Sequence, residues 1–196
     1  MNNFILTGAP GAGKTVALRQ LEVMGFPVVE EAATDVIALA HAKGVAQPHR
    51  EPGFIDDIVE LQERRRRAPR PSGVVFHDRS AICTLALAQF LDVPVPDSLA
   101  NALRSLETEP FYARDVFFIR NLGFVVNTEA RRITFEETLR FEQVHNEVYR
   151  SLGYRLVFID AADVEERARR IVAGAEAAQG YIARRMASHA AASDAR

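Results

Sequence analysis

Lysine is nearly missing from this chain: among its 24 basic residues only Lys14 and Lys43 are lysine, and the rest are arginine. Tryptophan is absent, and cysteine occurs once, at Cys83. One thiol excludes an internal disulfide and any multi-cysteine metal cluster, as suits a reducing compartment, and leaves Cys83 to be read as a small buried apolar residue. No apolar run approaches the roughly 20 residues that a membrane-crossing helix needs. Met1-Asn2-Asn3 lacks a basic start, and the apolar residues after it stop at Thr7-Gly8, so neither a signal peptide nor a membrane partner is expected and the chain reads as cytoplasmic. Positive charge is not in excess either: a net charge of -2 gives no electrostatic reason for a nucleic-acid partner. The five histidines, His41, His49, His77, His145 and His189, lack the H-x-x-x-H spacing of a zinc site. Nor does an N-K-x-D motif occur.

Against that background one lysine stands in a specific setting. Gly8-Ala9-Pro10-Gly11-Ala12-Gly13-Lys14-Thr15 follows the apolar run Phe4-Ile5-Leu6 and precedes a helical stretch from Val16 to Met24. It matches the P-loop, or Walker A, pattern G-x-x-x-x-G-K-[ST] between strand and helix. Gly8, Gly11 and Gly13 allow tight turns that aim successive N–H groups inward, and the helix after them adds its positive end, so the loop forms a nest for phosphate. Lys14 is expected to face solvent in that nest as a mobile charge for the β- and γ-phosphates, and Thr15 to hold Mg²⁺. The nucleotide contacts expected from the loop run from Gly8 through Val16.

The 196 residues suffice for one sizeable core. Further apolar runs at Val28-Val29, Val74-Val75-Phe76, Val116–Ile119 and Leu156–Ile159 alternate with helical patterns. These helices are expected over Ala32–Lys43, Phe54–Arg67, Ser80–Leu91, Asp97 or Ser98 to Glu107, Thr134–Leu152 and Val164–Val172. Thr134-Phe135-Glu136-Glu137 has the form of a capping box, and Leu139, Val144, Val148 and Leu152 are expected to line the buried face of its helix. Arg64 to Arg67 reads as a solvated basic helix end. Strand–helix alternation with apolar strands predicts an α/β fold, a doubly wound five-stranded parallel sheet with helices on both faces. One domain is expected over 1–175, with an Arg-bearing lid at about 120–134 where periodicity is lost, and an Ala-rich helix or tail over 176–196.

Ligands in such sheets sit at the carboxyl ends of the strands. That edge gathers the P-loop, Glu30 and Glu31 after the second strand, and His77, Asp78 and Arg79 at the end of the third. Phosphoryl transfer needs charge neutralisation, a carboxylate near the metal, and a group that orients or deprotonates the acceptor. Glu30 or Glu31 can serve the acceptor hydroxyl, Asp78 the Mg²⁺ shell, Arg79 a phosphate, and Arg131 or Arg132 the transferring group. His77 reads as a strand-end core histidine.

The order strand, P-loop, Glu-x-Ala, Asp-Arg-Ser and Arg-bearing segment resembles small P-loop kinases of the nucleoside and nucleotide kinase group. It is most similar to the AAA_28 family of predicted ATPases and kinases, which includes ribosylnicotinamide-kinase-like domains. The resemblance spans nearly the whole chain to about Val172. It implies that Glu31, or else Glu30, and Asp78 with Arg79 flank the phosphate acceptor; that Arg131 or Arg132 is the lid arginine; and that Phe54 and Gln62 contact the acceptor. Relatives often carry an acid a few residues after the Asp-Arg pair, where this chain has Ile82 and Cys83. The implied activity is ATP- and Mg²⁺-dependent phosphorylation of a small hydroxyl-bearing metabolite, with nucleosides among the options. Two other readings stay open on sequence: an ATP-hydrolysing switch read by a protein partner, and a nucleotide-stabilised interaction domain. Oligomeric state is not legible.

Overall fold

A computed structural model describes residues 2–70, 72–120 and 134–193, with the backbone alone for 181–193. Five strands, β1 (Asn3–Thr7), β2 (Val28–Val29), β3 (Val75–Asp78), β4 (Tyr112–Ile119) and β5 (Arg155–Ile159), form one parallel sheet in the order β2-β3-β1-β4-β5. The helices are α1 (Lys14–Val23), α2 (Ala32–Ala42), α3 (Phe54–Arg67), α4 (Ala81–Phe90), α5 (Asp97–Thr108), α6 (Phe135–Ser151) and α7 (Val164–Ser193), with a short 3-10 turn at Pro48–Arg50. This is the doubly wound α/β architecture that the alternation predicted.

Period-two alternation divides the core. Phe4 and Leu6 of β1, with Phe76 and Phe117, pack under α1 and α7, while Ile5 and Val116 face the layer built by α2 to α6. Gly174 lets α7 lie directly on β4, since a Cβ there would sit 2.7 Å from Phe117 Cε1. The helix therefore runs through Gly174 unbroken and extends to Ser193, well past Val172.

Two sequence expectations shift. Strand β4 begins four residues earlier than the apolar run, at Tyr112, because the charged pair Arg114-Asp115 masks its start. Asp115 is accommodated by a two-pronged ion pair with Arg155 on β5, at 2.6 and 2.5 Å. On α6 the buried face is Thr138, Phe141, His145, Val148 and Tyr149, whereas Leu139 is 47% exposed. Val148 is buried in the core, and Val144 and Leu152 pack partly buried against it, so of the expected four only Leu139 leaves that face. The capping box at Thr134 and Glu137 is present.

Chain order β1-β2-β3-β4-β5 set against spatial order β2-β3-β1-β4-β5 puts the reversal of winding at β1. A crevice opens there at the carboxyl ends of β1, β3 and β4. The loop after β1 fills it.

Candidate active site

The P-loop backbone is held by steric and polar constraints that its sequence dictates. Gly8 has φ 130°, and a Cβ on it would lie 2.3 Å from the carbonyl oxygen of Ile119 at the end of β4. Only glycine fits this close to the strand. Gly11 (φ 79°) and Gly13 (φ 82°) take left-handed conformations, and Gly13 caps α1 without any side-chain hydrogen bond. No acidic residue lies in the first turn of α1, so its leading N–H groups face the nest with the helix dipole uncompensated by side chains.

Lys14 differs from the sequence expectation. It is only 4% exposed, and its Nζ donates to the Ala9 carbonyl at 2.8 Å, folded across the loop instead of extended into solvent. The loop's own carbonyl thus holds the ammonium over the nest. Val16 is exposed on the outer side of α1. Thr15 Oγ1 donates to Asp78 Oδ2 at 3.3 Å, which joins the end of α1 to the end of β3. A hydroxyl beside a buried carboxylate is the hard-oxygen pair that suits Mg²⁺.

Arg79 ties together three elements beside the P-loop. Its φ of 72° is unusual for a residue with a side chain. Its N–H still donates to Leu6 O at 3.0 Å, so the chain stays in register with β1 while it turns. The turned guanidinium is buried among three elements. Its Nε lies 2.5 Å from Glu31 Oε1, its NH1 donates to His145 Nε2 at 3.1 Å, and it sits 5.8 Å from the Phe141 ring centre. Burial opposes its charge, but Glu31, then Cys83 and Asp78, outweigh burial and raise its pKa. His145 Nδ1 donates to Phe141 O at 3.0 Å, which fixes the tautomer and leaves Nε2 to accept from Arg79.

The two glutamates after β2 part company. Glu31, at the start of α2, is buried with an extended backbone, pairs with Arg79 and accepts from Thr34 Oγ1 at 2.7 Å. Glu30 points outward to Arg19, while its carbonyl accepts from Arg65 at 2.8 Å. The run Arg64–Arg67 is engaged within the protein: Arg65 pairs with Asp35, and Arg66 and Arg67 with Glu63.

A cavity of about 890 Å³ opens beside this constellation. Pro10 of the P-loop, Glu31 and Arg79 line it, together with the apolar side chains of Phe54, Ile58, Phe90 and Phe141. Gln62 lies on one wall, its Oε1 accepting from Thr84 Oγ1 at 2.9 Å. Phe54 and Gln62 therefore face the same space as Glu31 and Arg79, whereas Glu30 does not. Arg131 and Arg132, and the segment expected as a lid apart from its ends, lie outside the described residues. Cys83 also lines the cavity, within a buried polar cluster in which Tyr149 OH lies 2.9 Å from its Sγ and 3.2 Å from Ser80 Oγ.

A family model described as an AAA domain, AAA_28, matches residues 3–167. The chain belongs to that family. Several solved structures share its fold at low sequence identity. A structure of deoxyadenosine kinase from M. mycoides with dCMP and dCDP is similar with a TM-score of 0.61 at 11% identity, over 89% of this chain and 98% of that one. NadR in complex with NAD and AMP-PNP gives 0.62 at 18% identity, over 89% of this chain but 49% of that one. Thymidylate kinase from Candida albicans gives 0.55 at 10% identity, over 91% of this chain and 92% of that one. A comparison with curated protein sequences finds no significant match. No described helix is long and apolar enough to cross a membrane.

The sequence alone did not point to His145 or Phe141 as neighbours of the site, nor to Arg167, whose NH2 donates to the P-loop carbonyl of Ala12 at 2.6 Å. The i, i+4 spacing of Phe141, His145 and Tyr149 on α6 is the one local signal that can be found for the first two.

Buried neutral histidines set an acid limit for this AAA_28 chain. Burial, then Arg70, pushes His77 down to about 3, and burial with Arg79 holds His145 well below the usual imidazole value. Both folded values lie below the unfolded value near 6.5, so the unfolded chain binds more protons as pH falls through about 6.5. Stability is unaffected by these groups above that point and declines below it. Urea unfolding at stepped pH should show this decline, and a His77→Gln variant should show a shallower one.

Proposed function

We propose that this AAA_28 protein transfers the γ-phosphoryl group of ATP to a hydroxyl of a small metabolite bound in the cavity. The observation that carries the reading is that one cavity is lined by Pro10 of the P-loop together with Glu31 and Arg79, so a donor phosphate and an acceptor can share one space. Kinases of nucleosides, nucleotides and shikimate share the fold and support the same class of chemistry.

In this mechanism the nest of Gly8–Thr15 and Lys14 binds the β- and γ-phosphates. Thr15 and Asp78 would hold Mg²⁺, which when bound neutralises charge on the phosphate oxygens. Glu31 accepts the hydrogen bond of the acceptor hydroxyl and aims its oxygen at the γ-phosphorus. The acceptor oxygen bonds to that phosphorus, the bond to the bridging oxygen breaks, and ADP leaves. The hydroxyl proton passes to the Glu31 carboxylate. Because the transition state is loose, proton removal is late and orientation dominates, which suits a carboxylate already paired with a guanidinium. Arg79 holds Glu31 in place and adds positive charge where the phosphoryl group passes, and His145 steadies Arg79. Arg131 or Arg132 supplies further charge, a role that rests on the sequence resemblance. Apolar walls exclude water from the transfer path.

The test is a screen for ADP release from ATP and Mg²⁺ against nucleosides, vitamins and sugars. Strong stimulation by one class supports the reading and names the acceptor. Silence across a broad panel, with basal ATP hydrolysis present, supports a nucleotide switch instead.

A further inference from the structure

Helix α7 begins after Asp163, whose Oδ1 accepts from the Glu166 N–H at 2.7 Å. Of the basic residues in its first turns, Arg169 and Arg170 pair with Glu165 and Glu166 on the solvent side. Arg167 turns the other way, onto the P-loop, and is 4% exposed. Its NH2 donates to the Ala12 carbonyl at 2.6 Å. Its NH1 rests against Gly13, where a Cβ would come within 2.8 Å. Gly13 is thus required twice, for its left-handed backbone and for the guanidinium packed behind it.

This guanidinium makes no ion pair among the described residues, and its Nε has no hydrogen-bond partner there. Arginine cannot shed its proton in a protein, so burial leaves a standing charge whose partner in the fold is a neutral carbonyl. The peptide it grips is trans, so the Ala12 carbonyl and the Gly13 N–H point in opposite directions. A charged donor on the outer carbonyl polarises the peptide and strengthens the inner N–H as a donor.

We infer that Arg167 is a positioning residue of the phosphate nest: it fixes the Ala12–Gly13 peptide with its N–H toward a bound polyphosphate and places a positive charge behind it. The ligand class this favours is a nucleoside triphosphate or inorganic tripolyphosphate over less charged phosphates. The inference rests on the reading of Gly8–Thr15 as the phosphate site.

Calorimetric titration of the full chain with ATP, ADP and inorganic tripolyphosphate, beside ligand-free thermal melts, decides it with the variants Arg167→Met, Arg167→Gln and Arg167→Lys. Loss of the charge should weaken ATP and tripolyphosphate by about ten- to a hundredfold in Met and Gln, and ADP by less. Lysine should restore part of the affinity, because it keeps the charge and loses the fork. The ligand-free melting temperature should hold or rise in Arg167→Met, since a buried charge without a carboxylate is gone. Should Met fail to fold, the Gln–Lys comparison still isolates charge. Wild-type affinity for all three ligands in Arg167→Gln would overturn the inference. So would equal losses for ATP and ADP that track a fall in melting temperature, the mark of packing alone. If the wild-type chain binds neither ATP nor tripolyphosphate, the phosphate-site reading itself fails and takes this inference with it.

Discussion

Replacing Lys14 with alanine is expected to lower affinity for ATP by about two orders of magnitude or more while the protein stays folded. The ammonium is pre-placed over the nest by its bond to Ala9 O, so little side-chain freedom is left to lose when phosphates arrive. Two charge-assisted hydrogen bonds to phosphate oxygens, at about 1.5 kcal/mol each, give about 3 kcal/mol, or a factor of roughly 150. On the folding side the variant removes a buried ammonium and leaves Ala9 O short of one donor, effects of opposite sign that largely offset. Calorimetric ATP titration and thermal melts of both proteins check the expectation. Equal ATP affinity in the variant would remove the P-loop from the account.

The second large effect separates the neighbouring glutamates. Glu31→Gln should slow transfer to an acceptor by about 10²- to 10⁴-fold, the range for a group that positions or deprotonates a nucleophile, with ATP affinity little changed. The variant also leaves Arg79 buried without its carboxylate, and breaking such a pair costs about 3–5 kcal/mol of stability. Assays therefore belong well below the variant's melting temperature, with ATP binding as the check that the site is assembled. Glu30→Gln is the control. Its side chain pairs with Arg19 at the surface, where an ion pair is worth about 1 kcal/mol at most, so transfer should stay within about twofold of wild type. A large loss in Glu30→Gln with none in Glu31→Gln would reverse the assignment of the acceptor carboxylate.

What was legible in the sequence follows from the range of the forces involved. The P-loop is a local object: its glycines, lysine and threonine all fall within eight consecutive residues, so pattern alone locates it. Apolar runs located all five strands because a parallel sheet is covered on both faces. Where charge entered a strand, as at Arg114-Asp115, the start of β4 was hidden, since its compensation by Arg155 lies on another strand. Glu30 and Glu31 are equivalent to any local rule. They are told apart by the turn into α2, which aims Glu31 at Arg79 and Glu30 at Arg19. Arg167 and His145 were silent for the same reason. Arg167 bonds a carbonyl 155 residues away, and His145 an arginine 66 away, so no window along the chain contains either partner.

In the proposed function, donor nest and acceptor cavity form one site for phosphoryl transfer. Its most direct test follows radiolabelled γ-phosphate from ATP in the presence of Mg²⁺ and the acceptor found by the ADP-release screen, in wild type and in Glu31→Gln. Label should be covalently attached to the acceptor's hydroxyl oxygen in wild type, and attachment reduced by about 10²-fold or more in the variant while ATP stays bound. Label recovered as inorganic phosphate alone, at the same rate in both proteins, would contradict it.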